Sequence, residues 1–168
     1  MDVNSARIII TQMQGCFTEL NLKFFNEDEM PARDGLTNAI RFRSWLDKND
    51  NLAEILSFVF PSHEIVLLTM NYYENYDDFD ESTMRDLFNL LYAFNNSDAT
   101  FYWSLWPRDN KLEFRTSYYL SGSRLSEGQF KSVLKRFLEH GPRYYQYIRR
   151  LIDKNEEPKK LFDEMKTE

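Results

Sequence analysis

Between Lys111 and Leu138 the spacing of the apolar residues changes from every second position to the helical repeat. Leu112, Phe114, Thr116, Tyr118 and Leu120 alternate with Glu113, Arg115, Ser117 and Tyr119, which is the pattern of a strand with one buried face. After Gly122, Phe130, Val133, Leu134, Phe137 and Leu138 recur at i, i+3, i+4, i+7 and i+8, which is the pattern of a helix with one apolar stripe. Ser126 precedes this stripe and Gln129 stands three residues on, the arrangement of a capping box. A one-sided strand and a one-sided helix must each bury that side against another element. The segment therefore constrains the chain to helices packed on a sheet.

The rest of the chain supplies more of both kinds. Residues 5–20 read as a helix with Ser5 as N-cap and an apolar stripe of Ile9, Met13, Cys16, Phe17 and Leu20. A short extended piece and a charged loop follow, to about Gly35. Ile40 and Phe42 then alternate with Arg41 and Arg43 as a half-buried strand. Residues 55–60 and 65–72 read as two strands around a turn at Pro61-Ser62-His63, and both are apolar on both faces. Asp80 or Ser82 can cap a helix striped with Met84, Leu87, Phe88 and Leu91. "TFYWSLWP" is a strand and "RDNK" a turn into the Leu112 strand. Gly141-Pro142 is expected to end the long helix, with a second helix starting at Pro142. The expectation is one α+β domain over 5–154, with a charged, flexible tail over 155–168. The element order α-β-β-β-α-β-β-α gives a five-stranded, mainly antiparallel sheet with helices on one face.

Most chemistry lacks its residues. The five glycines, at 15, 35, 122, 128 and 141, form no phosphate-binding loop. His63 and His140 stand apart, one at a turn and one at a helix end, and supply no zinc ligand set. Cys16 lies on an apolar stripe with no histidine spaced to activate it. The acidic runs "NEDE" and "ENYDDFDE" lack the spacing of a calcium loop. No enzyme activity, metal or cofactor is expected. A single cysteine allows no internal disulfide and suits a reducing compartment. No apolar run approaches the ~20 residues of a membrane span, so a cytoplasmic protein is expected.

The stretch "KLEFRTSYYLSGSRLSEGQFKSVLKRFLEHGPRYYQYIRRLI", Lys111 to Ile152, and the hairpin "LSFVFPSHEIVLLTMNY" resemble the YbjN-like family of bacterial sensory transduction regulators. The fold of that family is similar to that of type III secretion chaperones. The resemblance implies a non-enzymatic α+β module that pairs with or binds other proteins. It carries over no catalytic or ligand-binding residue.

Two surfaces are candidate sites. Residues 123–154 hold eight Lys and Arg against three Asp and Glu, whereas the whole chain carries −6. "RYYQYIRR" interleaves aromatics with arginines, as a nucleic-acid binder would. The competing expectation is that its arginines are solvated or pair with the acidic run at 74–81. Nucleic acid is the lesser expectation, because an acidic chain repels phosphate. The second surface is on the sheet. If Phe101, Trp103 and Leu105 face the core, Tyr102 and Trp106 point outward, joined by Arg115 and Tyr119 from the next strand. Tyr, Trp and Arg are the residue types of interface hot spots. The patch is expected either to meet a protein partner, another protein or a second copy of the chain, or to be covered by its own chain. A small-molecule pocket in the aromatic-rich sheet is the third reading.

Overall fold

The computed structural model describes residues 3–30, 39–48, 51–60, 63–121 and 124–167. The chain opens with helix α1 (Val3–Glu19) and continues through strands β1 (Phe24–Met30), β2 (Ala39–Lys48), β3 (Asn51–Phe60) and β4 (Ile65–Tyr73). Helix α2 (Glu81–Ser97) leads to β5 (Tyr102–Trp106) and β6 (Lys111–Tyr119). Helices α3 (Glu127–Lys154) and α4 (Pro158–Thr167) close the chain. The strands form one sheet in the order β1-β2-β3-β4-β6-β5. Every neighbouring pair is antiparallel.

The register sets which residues share a face. Phe42 lies opposite Ser57, and Ser57 opposite Leu68. Leu68 then lies opposite Thr116, and in the next row Met70 lies opposite Phe114 and Phe114 opposite Trp103. This face is buried under the helices, with Ile9, Met13, Phe17, Leu87, Phe94, Phe130, Leu134, Phe137 and Ile148 packed against it. Aromatic contacts bind the layers, including Phe17 on Phe42 at 5.0 Å and Phe114 on Phe137 at 5.2 Å between ring centroids. At several element ends the backbone is left-handed on asparagine, which tolerates that conformation. Asn21 leaves α1 at φ 58°, Asn110 joins β5 to β6 at φ 48°, and Asn155 ends α3 at φ 53°.

The α+β class, the antiparallel pairing and the helix-covered face agree with the sequence reading. Several details differ. The sheet has six strands, not five, because residues 24–30 pair as β1 along the edge of β2. Their charges hide any alternation, and main-chain hydrogen bonds need none. Helix α1 begins at Val3, so Ser5 lies in its first turn rather than at its cap. Helix α3 runs unbroken for 28 residues through Gly141-Pro142. Pro142 forfeits one hydrogen bond to the preceding turn, yet it is buried with Gly141, and packing on the sheet holds the helix through it.

Ser126 is the N-cap of α3, but its side chain makes no capping hydrogen bond. Gln129 instead accepts from the Tyr118 hydroxyl at 3.3 Å. Asp80 is the functional cap of α2 and accepts from the Thr83 amide at 2.7 Å. The charged tail contains a helix, α4, whose Leu161 and Met165 are buried. Those two residues stand one turn apart on a single face, which is enough to dock a short helix on α2 and α3. The expected turns at Pro61-Ser62 and Gly122-Ser123 lie outside the described residues.

Candidate protein-binding face of the sheet

Among the described residues, no helix lies on the second face of the sheet. Across its middle the register lines up Arg43, Leu56, Thr69, Arg115 and Tyr102 in one row, and Trp45, Glu54, Asn71, Glu113 and Ser104 in the next. Apolar side chains flank these rows. Phe58 and Phe60 stack at 6.0 Å, with Leu67 opposite Phe58 and Ile65 opposite Phe60. Phe25, Trp45, Leu52, Tyr73, Tyr102, Trp106 and Tyr119 are exposed around them. The two-faced apolar character of residues 55–60 and 65–72 thus has two causes. One set of side chains faces the helices and the other faces outward.

All four sequence-predicted partner-binding residues lie on this face. Tyr102 is directly opposite Arg115, whose guanidinium sits 4.9 Å over the tyrosine ring. Trp106 is opposite Lys111, whose ammonium sits 5.4 Å over the indole. Tyr119 stands at the end of β6 opposite Ile65. Tyr102 is 47% exposed, Trp106 44% and Tyr119 74%. Tyr102, Arg115 and Tyr119 share a groove of about 370 Å³ with Asn95, Asp98, Thr100 and Ser117, at the edge where β5 begins, and Trp106 stands apart from it at the far end of β5.

Beneath the exposed rings lies a layer of polar contacts that the sequence reading missed. Glu54 is buried, with Arg43 Nε at 2.9 Å, and it accepts from the Tyr73 hydroxyl at 2.6 Å and from Asn71 Nδ2 at 3.3 Å. Burial, and then the Glu54 hydrogen bond, push the Tyr73 phenol up to about 12. Glu113 is also buried, with Lys111 at 3.2 Å and Arg115 at 3.9 Å. Strand alternation did place Glu113 and Arg115 on this face. The alignment with Glu54 and Asn71 depends on strand pairing, which one sequence does not display.

The basic C-terminal helix presents a different picture. Arg149 donates to Glu74 at 2.8 and 2.9 Å and pairs with Asp153 at 2.6 Å. Arg150 pairs with Glu156 at 2.7 Å and Glu164 at 2.8 Å. Arg143 donates to the Met165 carbonyl at 2.9 Å. These arginines are committed to their own chain, one of them to the acidic run at 74–81, and Tyr145 and Ile148 pack inward. His140 lies within α3 rather than at its end. Its ring packs beside Phe101 and Tyr144, and burial and then Arg136 hold its pKa below the ordinary 6.5. His63 is exposed. Cys16 is buried in the core, and burial raises its thiol pKa. Among the described residues no group of three or more His, Cys, Asp or Glu is placed to hold a metal ion. Among the described residues no helix is long and apolar enough to cross a membrane.

No family model matches the chain, and no curated protein matches it. A solved structure does. The chain is similar to one chain of the crystal structure of the ExsC–ExsE complex, with a TM-score of 0.56 at 14% identity, covering 89% of this chain and 96% of that one. At that identity the likeness shows the fold alone. It supports the α+β fold read from the sequence.

Proposed function

We propose that this protein is a non-catalytic, chaperone-like or regulatory binding module that holds another polypeptide on the open face of its sheet. The observation that carries the reading is the exposed set of Tyr102, Trp106 and Tyr119, together with Trp45, Leu52 and Tyr73, on a sheet face that no helix covers among the described residues. Exposed aromatics gathered on one sheet face are of the kind that marks association surfaces. The structure of similar fold is that of a complex between two proteins. Membership of the YbjN-like family and a cytoplasmic setting are parts of this proposal that rest on the sequence, and a second copy of the chain is the alternative occupant of the face.

Tyr102→Ser combined with Trp106→Ser tests it. Neither ring is part of the buried core. Affinity capture from the native cell, identified by mass spectrometry, is expected to lose its specific partner on the double variant while circular dichroism stays unchanged. A folded double variant that captures the same partner equally well refutes the role of this face. An unfolded one shows that these rings support the fold.

A further inference from the structure

The open face sorts its charges by depth. Its carboxylates in the central rows, Glu54 and Glu113, are only 6% and 8% exposed. The cations above them reach outward, with 41% of the Arg115 side chain and 36% of the Arg43 side chain exposed. Among the described residues, Asp47 of this face is exposed at the far end of β2, and Asp98 lines the groove beside Tyr102 and Arg115 but is mostly buried under Arg136 and His140. A partner approaching the middle of the sheet therefore meets guanidinium, ammonium and aromatic edges before it meets any carboxylate. This holds although the chain as a whole carries −6.

We infer that the open face takes an acidic polypeptide segment, one whose Asp or Glu carboxylates reach Arg115 and Lys111 while apolar or aromatic side chains lie along the exposed rings. The inference rests on the proposed function and names the chemistry of the partner. Arg115 and Lys111 hold their own carboxylate, Glu113, from one side and keep donors for a second one, since a guanidinium carries five N–H groups and an ammonium three. The same cations argue against single-stranded nucleic acid on this face. Bases bind such surfaces by stacking on ring faces. Here one ring face of Tyr102 is covered by Arg115 and one of Trp106 by Lys111. A carboxylate can bind these cations where they stand, whereas a base that stacks on these rings finds one face of each already taken.

The test uses the purified full chain and three labelled probes: a random Glu/Tyr copolymer, a random Lys/Tyr copolymer and oligo(dT). Overall charge alone favours the Lys/Tyr polymer. The expected result is that the Glu/Tyr copolymer binds and that Lys111→Gln with Arg115→Gln weakens it at least tenfold. The Lys/Tyr copolymer, whatever its strength, should be unmoved by the same change. Because that variant strands the buried Glu113, a second variant adds Glu113→Gln, which removes the stranded charge while keeping the face uncharged there. It should show the same loss at an unchanged melting temperature. Glu/Tyr binding that is absent, or that survives both variants, overturns the inference. So does oligo(dT) binding that the variants abolish, which assigns the face to nucleic acid. A doubled mass in light scattering that the variants halve also overturns it, since the occupant is then a second copy. If the Tyr102/Trp106 variant loses its cellular partner but the charge variants do not, the face binds protein by apolar contact and only this inference fails.

Discussion

Gly141 offers a quantitative test of how α3 lies on the sheet. It sits in the middle of a 28-residue helix, where replacing glycine by alanine ordinarily stabilises by about 1 kcal/mol. Here a Cβ would stand 2.7 Å from Met70 Sδ and 2.9 Å from Phe114 Cδ1. Both neighbours are fully buried, and Phe114 is locked between Trp103 at 4.9 Å, Phe101 at 5.1 Å and Phe137 at 5.2 Å. Met70 is flexible and can give way in part, but the phenylalanine ring has nowhere to go. Overpacking of this kind costs about 1–3 kcal/mol. The net effect of Gly141→Ala is then a loss of ~1 kcal/mol, with a span from about zero to 2. For a domain of this size that lowers the melting temperature by ~2–4 °C per kcal/mol. Gly15→Ala is the control, because nothing lies within 4 Å of a Cβ there and α1 should gain ~0.5–1 kcal/mol. Calorimetry on both variants decides the matter. If Gly141→Ala raises the melting temperature as Gly15→Ala does, the close approach of helix to sheet is wrong.

Other outcomes follow from the same structure. Asp80→Ala should cost ~1 kcal/mol in urea denaturation, because it removes the acceptor for Thr83, whereas Ser126→Ala should cost less than ~0.5 kcal/mol, since no side-chain cap is made there. The Glu156 carboxyl is held down to about 2 by Arg150 and then Lys160, against an ordinary 4.5. Its folded value lies below the unfolded one, so the stability it brings is present above pH 4.5 and is lost as pH falls from there towards 2. Glu156→Gln should flatten that acid limb in a series of thermal melts. His140 should titrate below 6.5 by NMR, and because burial disfavours its charged form, its contribution fades as pH drops below 6.5. A midpoint above 6.5 would mean that Asp98, 3.8 Å from Nδ1, outweighs burial.

Legibility in the sequence followed the number of residues that share one environment. Strand β6 and the first half of α3 each turn one set of side chains inward at a single period, most of it buried, so Leu112–Leu120 and Phe130–Leu138 could be read directly. The outward placement of Tyr102, Trp106, Arg115 and Tyr119 needs only the alternation of a strand. Strand β1 carries "NEDE", and its pairing is a main-chain matter that side chains do not announce. Gly141-Pro142 carries the local signal of a break, and the tertiary environment overrides it. Helix α4 falls in the stretch expected to be a flexible tail, because two apolar positions such as Leu161 and Met165 in a charged sequence weigh little until there is a surface to receive them. The partnership of Glu54 with Arg43, Tyr73 and Asn71 crosses three strands, and no single stretch contains it.

The strand order has a consequence for how the chain assembles. Strands β1 to β4 follow one another as neighbours, so each can add to the last by closing a short connection. Strand β6 must instead return across α2 and β5 to reach β4, and closing that longer loop is the slower step. Strand β5, five residues long, then holds to the sheet on one side only. Edge elements with a single neighbour are the ones that open at the lowest free energy. Tyr102 and Trp106 ride on that rim, whose outer edge Asn95 of α2 brackets by accepting from the Trp103 amide and donating to its carbonyl, so a partner gripping the two rings would add to what keeps the rim closed.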